Sequence, residues 1–185
     1  MTAGTRRRSF RVRPRAAPSH PGRRVRRRDI VPASDPGEPS RAWGYGFRAL
    51  YRGLGLLDPF VRSWWTRQGL GNVVEVTIAG RRSGRPRRAL LGLLVADGQW
   101  YLGHPNGAAQ WTRNLDAAGG HLRLTWPGQE PVSFEAQPLV AGPERDRAIE
   151  ATGQHPFPGN LIYRLGRRHV RAAGRFYRLE LDPAG

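Results

Sequence analysis

From residue 72 onward, apolar and polar positions alternate in short runs broken by glycine and proline. Val74, Val76 and Ile78 alternate with Val73, Glu75 and Thr77, a period of two that predicts a strand over 72–79. A mostly apolar strand is predicted over 89–96, a tight turn at Asp97-Gly98, and a third strand over 99–103. The pattern then becomes helical over 108–118, with Trp111, Leu115 and Ala118 on its apolar side and Gly119-Gly120 as its stop. Strands return over 121–126 and 132–140, joined by a turn at Pro127-Gly128. A helix starts over 144–151 after Gly142-Pro143, is interrupted by Pro156, Pro158 and Gly159, and resumes over 161–169. A last strand is predicted over 175–181.

Ahead of the strands, residues 43–68 show helical spacing. The sets 47-50-51-54 and 57-60-61-64 each fit one helix face, and Asp58-Pro59 predicts a break and restart between them. Arg48, Arg52, Arg62 and Arg67 lie between the apolar positions. Such a segment suits a cover over one end of a β core, or contact with an anionic membrane surface. The cover is the preferred reading. Short antiparallel strands with few crossovers make the fold mainly β with added helices (α+β). The expected architecture is a split β-barrel of about six antiparallel strands, with a leading helix, one helix between strands and a C-terminal helical insertion.

Charge changes the picture at the N-terminus. The 185 residues carry a formal net charge of +17, and all 31 basic residues are arginine. Residues 1–41 hold 12 arginines against three acids, a net +9, with few sizeable apolar groups. That composition cannot offset its own ordering entropy, so 1–41 are expected to be a disordered tail and 42–185 the barrel domain. A basic nucleic-acid-binding protein is the weakest of the functional readings. No recognised nucleic-acid motif is present, and more than half of the excess charge sits in the tail. Zero cysteines exclude disulfides, thiol catalysis and thiolate metal sites and fit a cytoplasmic location. No apolar run approaches the roughly 18–20 residues that span a bilayer. The histidines show no ligand spacing, so no metal site is expected.

The richest chemistry lies in Gly80-Arg81-Arg82-Ser83-Gly84-Arg85-Pro86-Arg87-Arg88, between the first two predicted strands. Glycine permits close backbone approach, successive N–H groups can converge on one oxygen, and guanidinium forks hold phosphate bidentately. The turn therefore reads as a receptor for a phosphorylated small molecule, although exposed arginines on a solvated hairpin would look the same in part. Arg88 is expected to face water.

The residues from Thr77 to Arg87 (T-x-x-G-R-R-S-G-R-P-R), followed by an apolar strand, Asp97-Gly98, an aromatic strand, His104-Pro105-Asn106-Gly107 and the run from Trp111 to Gly120, resemble the deazaflavin (coenzyme F-420)-dependent nitroreductase family. The resemblance covers about residues 70–181. It implies an actinobacterial split-barrel oxidoreductase that transfers a hydride between the reduced deazaflavin and an electron-poor acceptor of quinone, nitro or enone type. An FMN-binding split barrel is the alternative. Carried onto this chain, the phosphate site falls on Arg81, Arg82, Ser83, Gly84 and Arg87. The ring contacts fall on Ala89, Leu90, Leu91, His104, Asn106 and Gly107, with Trp111 and Asn114 on the helix that closes over them. For His104, Trp111 and Asn114, ordinary loop, core and capping roles stay open beside these. Family members carry several tyrosines in the C-terminal insertion; here only Tyr163 remains, with His155 near another aromatic's place, as candidate proton donors. The resemblance also leaves room for a homodimer, and the basic tail or leading helix for weak contact with a membrane surface.

Overall fold

The computed structural model describes residues 38–68, 71–107 and 109–182; the side chains of 51, 54–64, 67 and 68 are outside that description. All described residues belong to one compact unit, Ala33–Gly185. The expected disorder of the N-terminal arginine-rich segment concerns residues almost all outside the described part.

Six strands form the barrel: β1 (Val73–Ala79), β2 (Pro86–Ala96), β3 (Gln99–His104), β4 (His121–Thr125), β5 (Val132–Pro138) and β6 (Arg175–Leu181). They close in the order β1-β2-β3-β6-β5-β4, with every neighbouring pair antiparallel. Among the described residues five helices are added: α1 (Arg41–Gln68), α2 (Gln110–Ala117), α3 (Pro143–Glu150), α4 (Gly159–Leu165) and α5 (Arg167–Ala173), with a short 3-10 turn at Ala151–Gln154. This is the α+β split-barrel architecture expected from the pattern.

The period-two residues meet inside the barrel. Val74, Val76 and Ile78 pack against Leu93, Leu102, Leu122, Leu124, Phe134, Tyr177 and Leu179, and α2 plugs one end with Trp111 and Leu115. A second apolar cluster lies outside the wall. Leu94, Tyr101 and Phe176 point outward from β2, β3 and β6 and are covered by Phe47 of α1, Ala148 and Ile149 of α3, Tyr163 of α4 and Val170 of α5. Those three strands are thus apolar on both faces, which explains the unbroken apolar run from Ala89 to Val95.

Close approach of this cover depends on Gly92. A Cβ there would lie 2.2 Å from His155 Cε1, so any side chain would push the insertion off the wall. Two further contacts fasten it. Gln154 exchanges hydrogen bonds with Val95, donating from Nε2 at 2.6 Å and accepting from the backbone N–H at 3.0 Å. Arg145 Nη2 donates to the carbonyls of Arg171 and Gly174, both at 2.8 Å.

Boundaries differ from the pattern in three places. The leading segment is one helix of 28 residues, not a pair restarting at Asp58-Pro59. A proline removes one helical N–H bond, and here both flanks of the helix are anchored: Phe47 and Trp65 are buried, and Trp65 Nε1 donates to the Val73 carbonyl at 2.8 Å. β2 begins at Pro86, three residues before the apolar run, because Ala79, Ile78 and Thr77 pair with Pro86, Arg87 and Arg88. The C-terminal helical stretch is split at Gly166 into α4 and α5.

Candidate functional site at the barrel mouth

Strand pairing decides where each arginine of the first hairpin goes. Val76 pairs with Ala89 and Ile78 with Arg87, so Arg87 and Ala89 share the inward face of β1's buried residues, at the rim of the barrel. Arg88 pairs with Thr77 on the outward face and approaches Glu75 at 3.8 Å. The turn itself is tight: Gly80 N–H donates to Arg85 O at 2.9 Å, and Gly84 N–H donates back to Gly80 O at 2.8 Å. Gly84 holds φ at 65°, a left-handed value that suits glycine. Arg87 folds across Gly80, where a Cβ would meet its Nε at 3.3 Å.

Arg81 has a different employment. Its Nη1 donates to Gln110 Oε1 at 2.9 Å and to Asn114 Oδ1 at 3.3 Å, and its backbone N–H also points at that oxygen, at 3.4 Å. The residue buttons the turn onto α2. Arg82 and Ser83 stay exposed at the mouth.

On the opposite rim, His104 ends β3. Its Nδ1–H donates to the Asn106 carbonyl at 2.6 Å, and burial pushes the imidazole down to about 4, partly opposed by that hydrogen bond. Asn106 is a hub: its Oδ1 accepts from His169 Nε2 of α5 at 2.7 Å, and its Nδ2 donates to the Gly44 carbonyl of α1 at 3.3 Å. Burial lowers the His169 pKa as well. α1 is thereby tied over the mouth.

These walls enclose one cavity of about 1330 Å³. Val76, Ile78, Ala89 and Trp111 make an apolar floor; Arg41, Arg48, Arg52, Arg81, Arg82, Arg87, Arg88 and Arg113 stand around it, and no carboxylate among the described residues lines it. Such a cavity accepts a ligand with a flat apolar body and more than one negative group.

The residues expected at the site divide clearly. Arg81, Arg82, Ser83, Arg87, Ala89, His104, Asn106, Gly107, Trp111 and Asn114 all line this cavity. Gly84 shapes the turn without lining it. Leu90 and Leu91 do not reach it: Leu90 pairs with Glu75 on the outward face, and Leu91, opposite Val74, sits deeper against the core. Period-two alternation forbids three consecutive residues from facing one ligand. Tyr163 and His155 are also elsewhere. They contact each other with ring centroids 4.7 Å apart, His155 lies over Gly92, and Tyr163 belongs to the outer apolar cluster. Neither lines the cavity.

The residues that sequence reasoning missed are Arg41, Tyr45, Arg48 and Arg52 on α1, with Gln110, Arg113 and His169. Positions 41, 45, 48 and 52 carry a helical i, i+4, i+7, i+11 spacing, which marked them as one face. The Arg48 guanidinium lies 4.6 Å from the Tyr45 ring centroid and steadies it.

No protein-family model matches the chain, and no curated protein matches it. Among solved structures it is similar to an F420-H2 dependent reductase (FDR-A), at 19% identity and TM-score 0.44, covering 59% of this chain and 94% of that one. It is similar to HutZ, the heme storage protein from Vibrio cholerae, at 13% identity and TM-score 0.44, covering 68% and 90%. It is also similar to the conserved hypothetical protein Rv2991 from Mycobacterium tuberculosis, at 16% identity and TM-score 0.43, covering 67% and 79%. At identities and TM-scores this low, nothing of their chemistry transfers to this chain.

Proposed function

We propose that the chain is an oxidoreductase whose mouth cavity binds a phosphorylated deazaflavin, coenzyme F-420, and passes a hydride from it to an electron-poor organic acceptor. The observation that carries this reading is the cavity in which arginines from the first hairpin, α1 and α2 surround an apolar floor, with no carboxylate among the described lining residues. The donor set fits such a group. Arg82, Ser83 and Arg87 would hold the phosphate, with Arg81 fixed behind them by Gln110 and Asn114. The floor of Val76, Ile78 and Ala89 would carry the ring, edged by His104, Asn106 and Gly107.

When bound, the reduced ring supplies the hydride. The protein's part is to fix the two reactants against each other and keep the floor dry. His104, held neutral by burial, offers a polar edge without a competing charge. Tyr45 of α1 is the tyrosine on the cavity wall, so it takes the proton-donating role that Tyr163 was expected to have. An enone or quinone acceptor of this class is reduced by the hydride at carbon or ring and completed by that proton.

Heme, the group one structural neighbour is named for, is a third ligand to test, because His104 and His169 each give only one ring nitrogen to Asn106. FMN shares the phosphate and the flat ring and remains the second reading. Calorimetric titration of the purified chain with the deazaflavin coenzyme, FMN and hemin separates the three. Tight binding of the deazaflavin alone is expected; binding of FMN or hemin in its place overturns the assignment. Arg82→Ala and Arg87→Ala should each weaken coenzyme binding by about 1–3 kcal/mol, the loss of a charge-assisted contact. Unchanged affinity in both variants removes the phosphate from this turn.

A further inference from the structure

The helical insertion turns a row of large apolar side chains outward that neither the barrel nor the cavity uses. Phe157, in the turn before α4, is 79% exposed, Leu161 is 45% exposed and Leu165 64%. Leu161 and Leu165 are one helical turn apart on α4 and share a face. Phe157 and Leu161 are walls of one shallow concavity of about 650 Å³, together with Ile149, Glu150, Tyr163 and Arg164, and Leu165 continues the face of Leu161 along α4. None of these residues lines the large cavity.

Arginines outnumber acids beside the row. Arg164 and Arg168 are exposed on α4 and α5, and neither has a carboxylate partner among the described residues. The nearby acid, Glu150, is taken by Arg167 at 2.7 Å. Exposed aliphatic and aromatic side chains flanked by free guanidiniums match the layered chemistry of an anionic bilayer surface, with phosphates outside and acyl chains beneath.

We infer that this face docks on anionic phospholipid membranes, with Phe157, Leu161 and Leu165 entering the boundary between headgroups and acyl chains and Arg164 and Arg168 meeting lipid phosphates. A second copy of the chain is a poorer occupant. A two-fold contact here would set Arg164 and Arg168 against their own copies in a chain of net charge +17. Nucleic acid is poorer too, because leucine side chains gain nothing from a phosphate backbone and do not stack on bases. The inference is independent of what the large cavity binds.

The absence of cysteine makes the test clean. Leu161→Cys and Leu165→Cys in the full chain each give one site for an environment-sensitive dye, and Gln129→Cys, exposed in the turn between β4 and β5, gives the control. Each labelled protein is mixed with vesicles of phosphatidylcholine alone and with vesicles containing about one third phosphatidylglycerol. On the anionic vesicles the dyes at 161 and 165 should shift to the blue and brighten several-fold, while the dye at 129 should not change. The exposed pair Leu161→Asp and Leu165→Asp, made together, should lower vesicle affinity at least tenfold with unchanged circular dichroism. Three results overturn the inference. One is sedimentation with anionic vesicles while the dyes at 161 and 165 stay in water, which assigns binding to the arginine-rich N-terminal stretch. Another is no vesicle binding. The third is a concentration-dependent blue shift without lipid, which assigns the face to a second copy.

Discussion

The mouth of the barrel and the helical insertion on its flank both bring histidine and tyrosine side chains against the same strands, yet different forces hold them. At the mouth the contacts are polar and directional. Asn106 joins β3, α5 and α1 through three hydrogen bonds, and Arg81 joins the first hairpin to α2. In the insertion the contacts are mostly apolar and close. Phe47, Tyr163, Ile149 and Val170 cover Leu94, Tyr101 and Phe176, and His155 is pressed onto Gly92. Among the described residues the larger space lies at the mouth, about 1330 Å³ against about 650 Å³ on the outer side of the insertion. A region built from hydrogen bonds around a void binds ligands, whereas one built from interlocking apolar side chains excludes them, whatever residue types it contains. The tyrosine and histidine of the insertion, Tyr163 and His155, lie outside the mouth cavity, although their types are those of catalytic groups.

Phe47 is where the two regions meet, and removing it is the largest single change expected. It is 1% exposed, packs edge-on against Tyr163 at 5.7 Å and stacks on His169 at 5.9 Å. Phe47→Ala should cost about 3–5 kcal/mol of stability in a denaturant titration. If the regions are mechanically joined, coenzyme affinity falls with it, because α1 loses its seat and His169 its stacking partner. Full stability loss with untouched ligand affinity would show that they are separable.

Acid divides the regions next. His104 at the mouth and His155 in the insertion are both lowered to about 4 by burial, from the usual 6.5. Both are neutral in the folded state at pH 7. Below pH 6.5 the unfolded chain takes up protons that the folded chain refuses, so stability falls as pH drops from 6.5 toward 4. Each histidine contributes about 2–3 kcal/mol over that window. His155→Gln should remove its share of the slope measured between pH 7 and pH 5, where most carboxylates stay ionised, and leave the share due to His104. An unchanged slope would place His155 in water rather than against Gly92.

Legibility in the sequence also differed between the regions. The barrel was readable because Val74, Val76 and Ile78 announce a one-sided strand, and Asp97-Gly98 and Pro127-Gly128 mark the turns on which register depends. The hairpin arginines were readable because their place between two strands is local. Three things were not local. Asp58-Pro59 looked like a helix break because the anchors at Phe47 and Trp65 are tertiary contacts. Leu90 and Leu91 were placed together at the ring by the resemblance, and a strand apolar on both faces hides the alternation that would have separated them. The tyrosine on the cavity wall was sought in the insertion, and contacts distant in sequence, Phe47 on His169 and Asn106 on Gly44, set α1 and Tyr45 at the mouth instead.

That last exchange of roles gives the smallest and sharpest comparison. Tyr45 is 68% exposed on the cavity wall, with Arg48 over its ring; Tyr163 is 6% exposed in the outer cluster. Removing the two hydroxyl groups separately asks which region delivers the proton. Tyr45→Phe should slow turnover of an enone acceptor about tenfold, a modest loss because water reaches an exposed donor's position and partly replaces it, equivalent to about 1.4 kcal/mol of barrier. Coenzyme affinity should not change. Tyr163→Phe should leave turnover as it is, because the side chain lies outside the mouth cavity. The opposite pattern, slow turnover in Tyr163→Phe and none in Tyr45→Phe, would mean that the insertion opens during the reaction and that its close packing against Gly92 is only its resting arrangement.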